Sequence, residues 1–298
     1  MTEVGSLICP VCSLSLTRAN KQFICDNNHQ FDVAKQGYVN LLQPQHKKSK
    51  QPGDSPEMVE ARYRFLDKGY YGAISDQLNQ LLLQDLSAKI TTNPCYRVTD
   101  AGSGEGYYTQ RLEHFLTSHA PSTESNPSAQ KIEIIGFDIA QKAVKASCRR
   151  SKSIQWVTAT SSHIPVADHS QDAVLSLFSR IVPEEFSRIL KQDGVLYVAS
   201  TGPNHLIELR RQLYQDVKQV AYNPTSTLAG SFIPLDQHLS SHIHYQVDID
   251  NTQAINDLLL MTPHYWRATE DAKESLQRLD SLSVTIDIML TGYRLCPQ

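Results

Sequence analysis

Cys9, Cys12, Cys25 and His29 constrain this 298-residue chain more than any other feature. The stretch CPVC, twelve further residues and CDNNH gives the spacing C-x2-C-x12-C-x3-H. Two thiols two residues apart share one tight turn, and a short hairpin brings back the second pair to close a tetrahedron. A structural zinc ion takes such a set, with sulfur at about 2.3 Å and nitrogen at about 2.0–2.1 Å. When the protein fills all four positions, none is left for a reactive water. The expected module is therefore a recognition element, not a catalyst. The competing arrangement is a disulfide pair. Against it, the start MTEVGSLICPVC has no basic region followed by an apolar stretch, so no export signal is read. A cytoplasmic, reducing setting is expected, where disulfides are rare. Cys95, Cys148 and Cys296 fall in strand-like or helical segments and are expected to be inert thiols.

Charge is unevenly placed. Six basic and three acidic residues give positions 1–50 a formal +3, leaving −6 for the other 248 residues of a chain whose total is −3. Lys47, Lys48 and Lys50 form the densest basic run and are candidate phosphate contacts. No run approaches the ~20 apolar residues of a membrane helix, so no membrane association is expected.

Three stretches are expected: a zinc-binding module at 1–43, a basic linker and helical segment at 44–94, and a larger domain at 95–298. Met58, Tyr63, Phe65 and Leu66, then Ile74, Leu78, Leu81 and Leu82, recur at helical spacing. From Cys95 onward strands alternate with helices: CYRVTD, YYTQRLEHFL, KIEIIGFD, IAQKAVKASCRR, IQWVT, QDAVLSLF, VPEEFSRIL, VLYVAS and TGPNHLIELRRQLYQDVK. This pattern predicts an α/β fold, a mostly parallel sheet covered on both faces. Residues 119–130 read as a polar surface insert, and 220–240 resist placement.

VTDAGSGEGYYT places Asp100, Gly102, Gly104 and Gly106 at a strand-to-helix junction, where glycines let a ligand approach the main chain. A pyrophosphate would sit poorly beside Glu105. An acidic loop suits a cationic ligand such as S-adenosylmethionine, and Asp138, ending IIGFD, can accept ribose hydroxyls. These features together predict a Rossmann-like class I methyltransferase domain. A nucleotide-binding oxidoreductase is the alternative.

ICPVC, FICDNNHQFDVAKQGYVNLL, HKKSKQPGDS, GSGEGYYT and TGPNHLIEL, in that order, resemble the 23S ribosomal RNA guanine-N(1)-methyltransferases. The resemblance runs from about residue 7 to Trp266–Ala268. It implies a zinc-ribbon-like domain joined to a Rossmann-like methyltransferase domain, working as a homodimer on 23S ribosomal RNA. It implies zinc at Cys9, Cys12, Cys25 and His29, and cofactor contacts from Gly104, Glu105 and Asp138. It adds Tyr71 and His205, which the residues alone do not single out. The loop departs from the family pattern at Ser103, where cysteine is expected.

The reaction so implied is attack of guanine N1 on the donor methyl. Arg180, Glu184 and Glu185 follow the fourth strand but are not assigned as catalytic. Two other classes stay open: a methyltransferase of a small metabolite, and a non-enzymatic zinc-containing RNA-binding protein.

Overall fold

The computed structural model describes residues 6–47, 49, 51–89, 95–119, 131–235 and 239–297. Lys48, Lys50 and most of the polar insert, 120–130, lie outside the described residues.

Three short strands, β1 (Thr17–Ala19), β2 (Gln22–Ile24) and β3 (Gln30–Asp32), form an antiparallel sheet beside the cysteine cluster. Strand β4 (Val39–Asn40) leaves that module and pairs elsewhere. Helix α1 (Pro56–Asp67) starts where Ser55 Oγ accepts the Met58 N–H at 3.3 Å and Pro56 presets the first turn. Helix α2 (Gly72–Lys89) follows a turn at Gly69. Then come β5 (Cys95–Ala101), α3 (Tyr107–His119), β6 (Lys131–Asp138), α4 (Gln141–Arg150), β7 (Gln155–Thr158), β8 (Gln171–Leu177), α5 (Pro183–Ile189) and β9 (Leu190–Thr201). The chain continues through α6 (Ile207–Leu213), α7 (Thr225–Leu228), β10 (Phe232–Pro234), β11 (Ser240–Ile249), α8 (Thr252–Leu260), α9 (His264–Arg267), α10 (Glu270–Leu276) and β12 (Leu282–Leu295).

The large sheet has the order β10-β12-β9-β8-β5-β6-β7-β4, with β11 also on β12. Strands β4 to β9 within it pair in parallel, and β12 runs antiparallel to β9, β10 and β11. The chain winds outward from β5 to β6 and β7, then returns to β8 on the other side of β5. That reversal opens a crevice at the carboxyl ends of β5 and β8, where open α/β sheets bind ligands.

Side chains alternate across the sheet. Ala173, Leu175, Val195 and Tyr197 join Leu78, Leu82, Leu112 and Leu209 on one face. Val174, Leu196 and Val198 face the other way, toward Phe186 and Ile189. The small module packs on this second face, with Leu7, Cys9, Phe23 and Cys25 in the same buried cluster as Val157, Ile164 and Val166.

One helix is shorter than its sequence suggests. TGPNHLIELRRQLYQDVK is helical only over Ile207–Leu213. Pro203 disfavours helix at the residue before it, Leu206 takes φ +53°, and Tyr214 is extended. In the stretch that resisted placement, α7 and β10 form, while 236–238 lie outside the described residues.

Candidate active site and metal centre

Two tight turns build the metal centre. Ser13 N–H donates to Cys9 O and Asn28 N–H to Cys25 O, each at 2.8 Å, with Ser13 and Asn28 both at φ +60°. Cys12 Sγ lies 3.7 Å from Cys25 Sγ, and His29 Nδ1 lies 3.5 Å from Cys9 Sγ and 3.4 Å from Cys25 Sγ. Thiolates about 2.3 Å from a tetrahedral zinc stand about 3.8 Å apart, and sulfur and nitrogen slightly closer. The spacings match, so the four side chains are positioned to hold a structural zinc ion through His29 Nδ1. The Val11 N–H, 3.4 Å from Cys9 Sγ, would stabilise the thiolate.

The glycine loop follows β5 into α3. Gly102 has φ +83°, and a Cβ there would meet Ser179 Cβ at 2.6 Å. Ser179 Oγ donates to Ala101 O at 2.6 Å, tying the end of β8 to the end of β5. Gly104, at φ +57°, donates its N–H to Asp138 Oδ2 at 3.0 Å, and the Ala140 N–H donates to Asp138 Oδ1 at 2.7 Å. The structure thus joins the loop and Asp138. Burial pushes the Asp138 carboxyl up, the Ala140 N–H pulls it down and Asp54 pushes it up again.

Glu105 is not where the charge argument put it. Its carboxylate is buried against Arg150, which also pairs with Asp67 at 2.8 Å and stacks 4.0 Å from the Tyr63 ring centre. Burial raises the Glu105 pKa, and the guanidinium opposes it. The acid fixes the loop to α1 and α4 instead of projecting at a ligand.

The free acid is Asp100. Its Oδ2 accepts from Thr109 Oγ1 at 2.6 Å, while buried Oδ1 has no hydrogen-bond partner in the structure. Burial pushes its pKa up to about 7, with Thr109 opposing. Ser103 Oγ and Tyr108 Oη are also buried and unpartnered. Such orphaned groups at the crevice match a polar ligand carrying an ammonium and hydroxyls.

Tyr71 and His205, distant in sequence, lie with ring centres 6.2 Å apart. His205 Nδ1 accepts the Asp287 N–H at 3.3 Å, which leaves the proton on Nε2. Burial drives the His205 pKa down to about 4, so the ring is a neutral donor. Asp287 also anchors this loop. Its Oδ2 accepts the Asn204 N–H at 2.9 Å, and its Oδ1 accepts from His242 Nε2 at 2.7 Å. Burial raises its pKa, but the His242 and Asn204 bonds outweigh that and hold it low.

Arg150, Thr109, Tyr108 and Asp287 escape sequence reasoning, because their partners lie 9 to 83 residues away and no local motif marks them. Glu185, left unassigned, accepts from Ile164 N–H at 2.6 Å and pairs with Arg188 at 2.8 Å. Its role is structural.

Two family models match the chain: the zinc ribbon described as "RlmA, N-terminal" over residues 7–50, and "Methyltransferase domain" over residues 74–228. A Bacillus subtilis (strain 168) protein provisionally designated 23S rRNA (guanine-N(1)-)-methyltransferase YxjB is 30% identical over 291 residues, 96% of each chain. The 23S rRNA (guanine(748)-N(1))-methyltransferase of Streptomyces fradiae is 28% identical over 300 residues, 99% of this chain and 98% of its own.

Proposed function

We propose, for a chain that belongs to the 23S rRNA (guanine-N(1)-)-methyltransferase family, that it transfers a methyl group from S-adenosylmethionine to N1 of a guanine in a hairpin loop of large-subunit ribosomal RNA. The observation that carries this reading is the pairing of a zinc ribbon with a methyltransferase domain along the full length of relatives bearing that name.

S-adenosylmethionine supplies an electrophilic methyl on a sulfonium. Around it, Gly102 and Gly104 would leave the main chain open and Asp138 would take the ribose hydroxyls. The unpartnered Asp100 oxygen would meet the ammonium, with Tyr71 and the Nε2–H of His205 closing the opposite side. Glu105 contributes as the residue that keeps the loop in shape. Guanine N1 gives up its proton before or during attack, and positioning of the two reactants supplies much of the rate. A base edge inside an A-form helix is hard to reach, so the target stands in a loop or is flipped out.

The stretches 1–43, 44–94 and 95–298 are read as functional parts: RNA recognition, linker, and catalysis. The family resemblance also supports a homodimer. No helix among the described residues is long and apolar enough to cross a membrane, and work on ribosomal RNA implies a cytoplasmic setting.

The test is incubation with unmodified large-subunit ribosomal RNA and labelled S-adenosylmethionine, followed by mapping of the modified base. N1-methylguanine at a single loop position is expected. Transfer to a free metabolite without RNA, or none to RNA, overturns the reading.

Lys47 is exposed, next to His46, whose ring stacks on His163 at 3.8 Å. That stack pins the linker at His46 to the segment after β7. Replacing Lys47, Lys48 and Lys50 with alanine should weaken RNA binding. It should also flatten the log–log salt slope by about 2, since each phosphate contact on a single strand contributes about 0.7. Affinity for S-adenosylmethionine should not change. An unaltered slope removes these lysines from the RNA interface.

A further inference from the structure

We infer that Phe178 is the platform on which the target guanine stacks, an assignment that rests on the function proposed above and adds the residue that receives the base. Phe178 stands one residue beyond β8, at the carboxyl edge where the sheet order reverses. It is 45% exposed, in a chain where most large apolar side chains are buried. Its φ is +57°. A bulky side chain rarely takes that conformation, and such strain gathers at functional sites.

The surroundings explain what holds the strain. Leu177 is buried in the strand. Ser179 is locked by its hydroxyl to Ala101 O at 2.6 Å and to Ser176 Oγ at 3.0 Å, and sits where a Gly102 Cβ would be. With both neighbours fixed, the left-handed turn at 178 turns the ring outward. It stays 6.3 Å from Tyr108, whose buried hydroxyl lacks a partner. The ring thus stands one residue from the cofactor loop and open to solvent. A ring left nearly half exposed gains less for folding than a buried one, whereas a flipped base needs an aromatic face on which to stack.

A second exposed aromatic borders the same edge. Tyr222, 51% exposed, donates its N–H to Thr201 O at the end of β9, the strand next to β8. It can close the far side of the base. The remaining exposed large apolar residues described, Val11, Leu14, Val220 and Trp266, do not follow a strand at the reversal of the sheet.

The experiment uses the full-length zinc-loaded protein and a 23S hairpin carrying the guanine mapped as above. Phe178→Ala should lower kcat/KM for the RNA by about 5–150-fold, the range for losing one base–aromatic stack. The affinity for S-adenosylmethionine should stay as it is. Phe178→Tyr or Phe178→Trp should restore the rate. Phe178→Gly, which relieves the backbone, should melt no lower than the wild type while remaining impaired. Wild-type kcat/KM in Phe178→Ala, or an equal loss of cofactor binding, overturns the assignment. If the wild type itself fails to methylate the hairpin, the functional reading fails instead.

Discussion

Cys25→Ser releases the zinc, abolishes methylation of ribosomal RNA and leaves S-adenosylmethionine binding measurable: that is the expected result of breaking the metal centre. Binding of structural zinc contributes about 10–16 kcal/mol of apparent free energy to small modules. A whole domain is stable by only about 5–15 kcal/mol. The module's own sheet consists of three-residue strands, too little to bury a core without the metal. Damage should spread to the sheet edge, because Cys9 and Cys25 share a buried cluster with Val157, Ile164 and Val166. The cofactor loop lies between β5 and α3, supported by α1 and α4, and should survive. Metal content, calorimetric cofactor titration and RNA methylation on one preparation give the answer. Normal RNA methylation by metal-free protein would contradict it.

The second large effect is expected at Arg150. Its guanidinium offsets the buried Glu105 carboxylate, bonds Asp67 and lies over the Tyr63 ring. Arg150→Ala leaves Glu105 buried without its cation, which typically costs about 3–5 kcal/mol. The pH dependence has a definite sign. Burial already raises the Glu105 pKa, and loss of the cation raises it further. A folded state with a raised carboxyl pKa binds protons more readily than the unfolded chain. Its stability therefore falls as pH rises through that folded value. Measured at a pH near the ordinary carboxylate range and at a second, higher pH, the melting temperature of the variant should drop with rising pH more steeply than that of the wild type. Changing both partners, Glu105→Gln with Arg150→Met, should recover much of the loss, because no lone charge is then buried. A variant that melts like the wild type at both pH values would show that the pair is not a structural tie.

Much of this was legible beforehand for local reasons. The zinc ligands are two short motifs, and the strands and helices from Cys95 to β9 announce themselves by period. Gly104 and Asp138 meet because the loop that follows β5 lies beside the end of the neighbouring parallel strand β6, a consequence of topology that the motif already implies. What stayed hidden depends on long-range packing. Glu105 reads as a free acid because its partner lies 45 residues on, across α4. The break before α6 comes from Asp287, more than 80 residues later, which bonds Asn204 and His205 and holds the loop open. The strain at Phe178 exists only because Ser179 is pinned to another strand.

The placing of β4 has a practical consequence. Val39 and Asn40 lie opposite Val157 and Thr158 as an extra parallel strand of the catalytic sheet, and the Leu41 N–H donates to Thr158 O at 3.0 Å. Farther back, Ile8 and Ala167 exchange main-chain bonds with the Pro165 and Ser6 carbonyls. The metal-bearing head is thus bolted to the catalytic sheet, not tethered to it, and on the function proposed above it would act as a fixed jig that sets the distance from RNA grip to methyl donor. Exchanging heads between relatives would then require transplanting the docking seam along β7 as well.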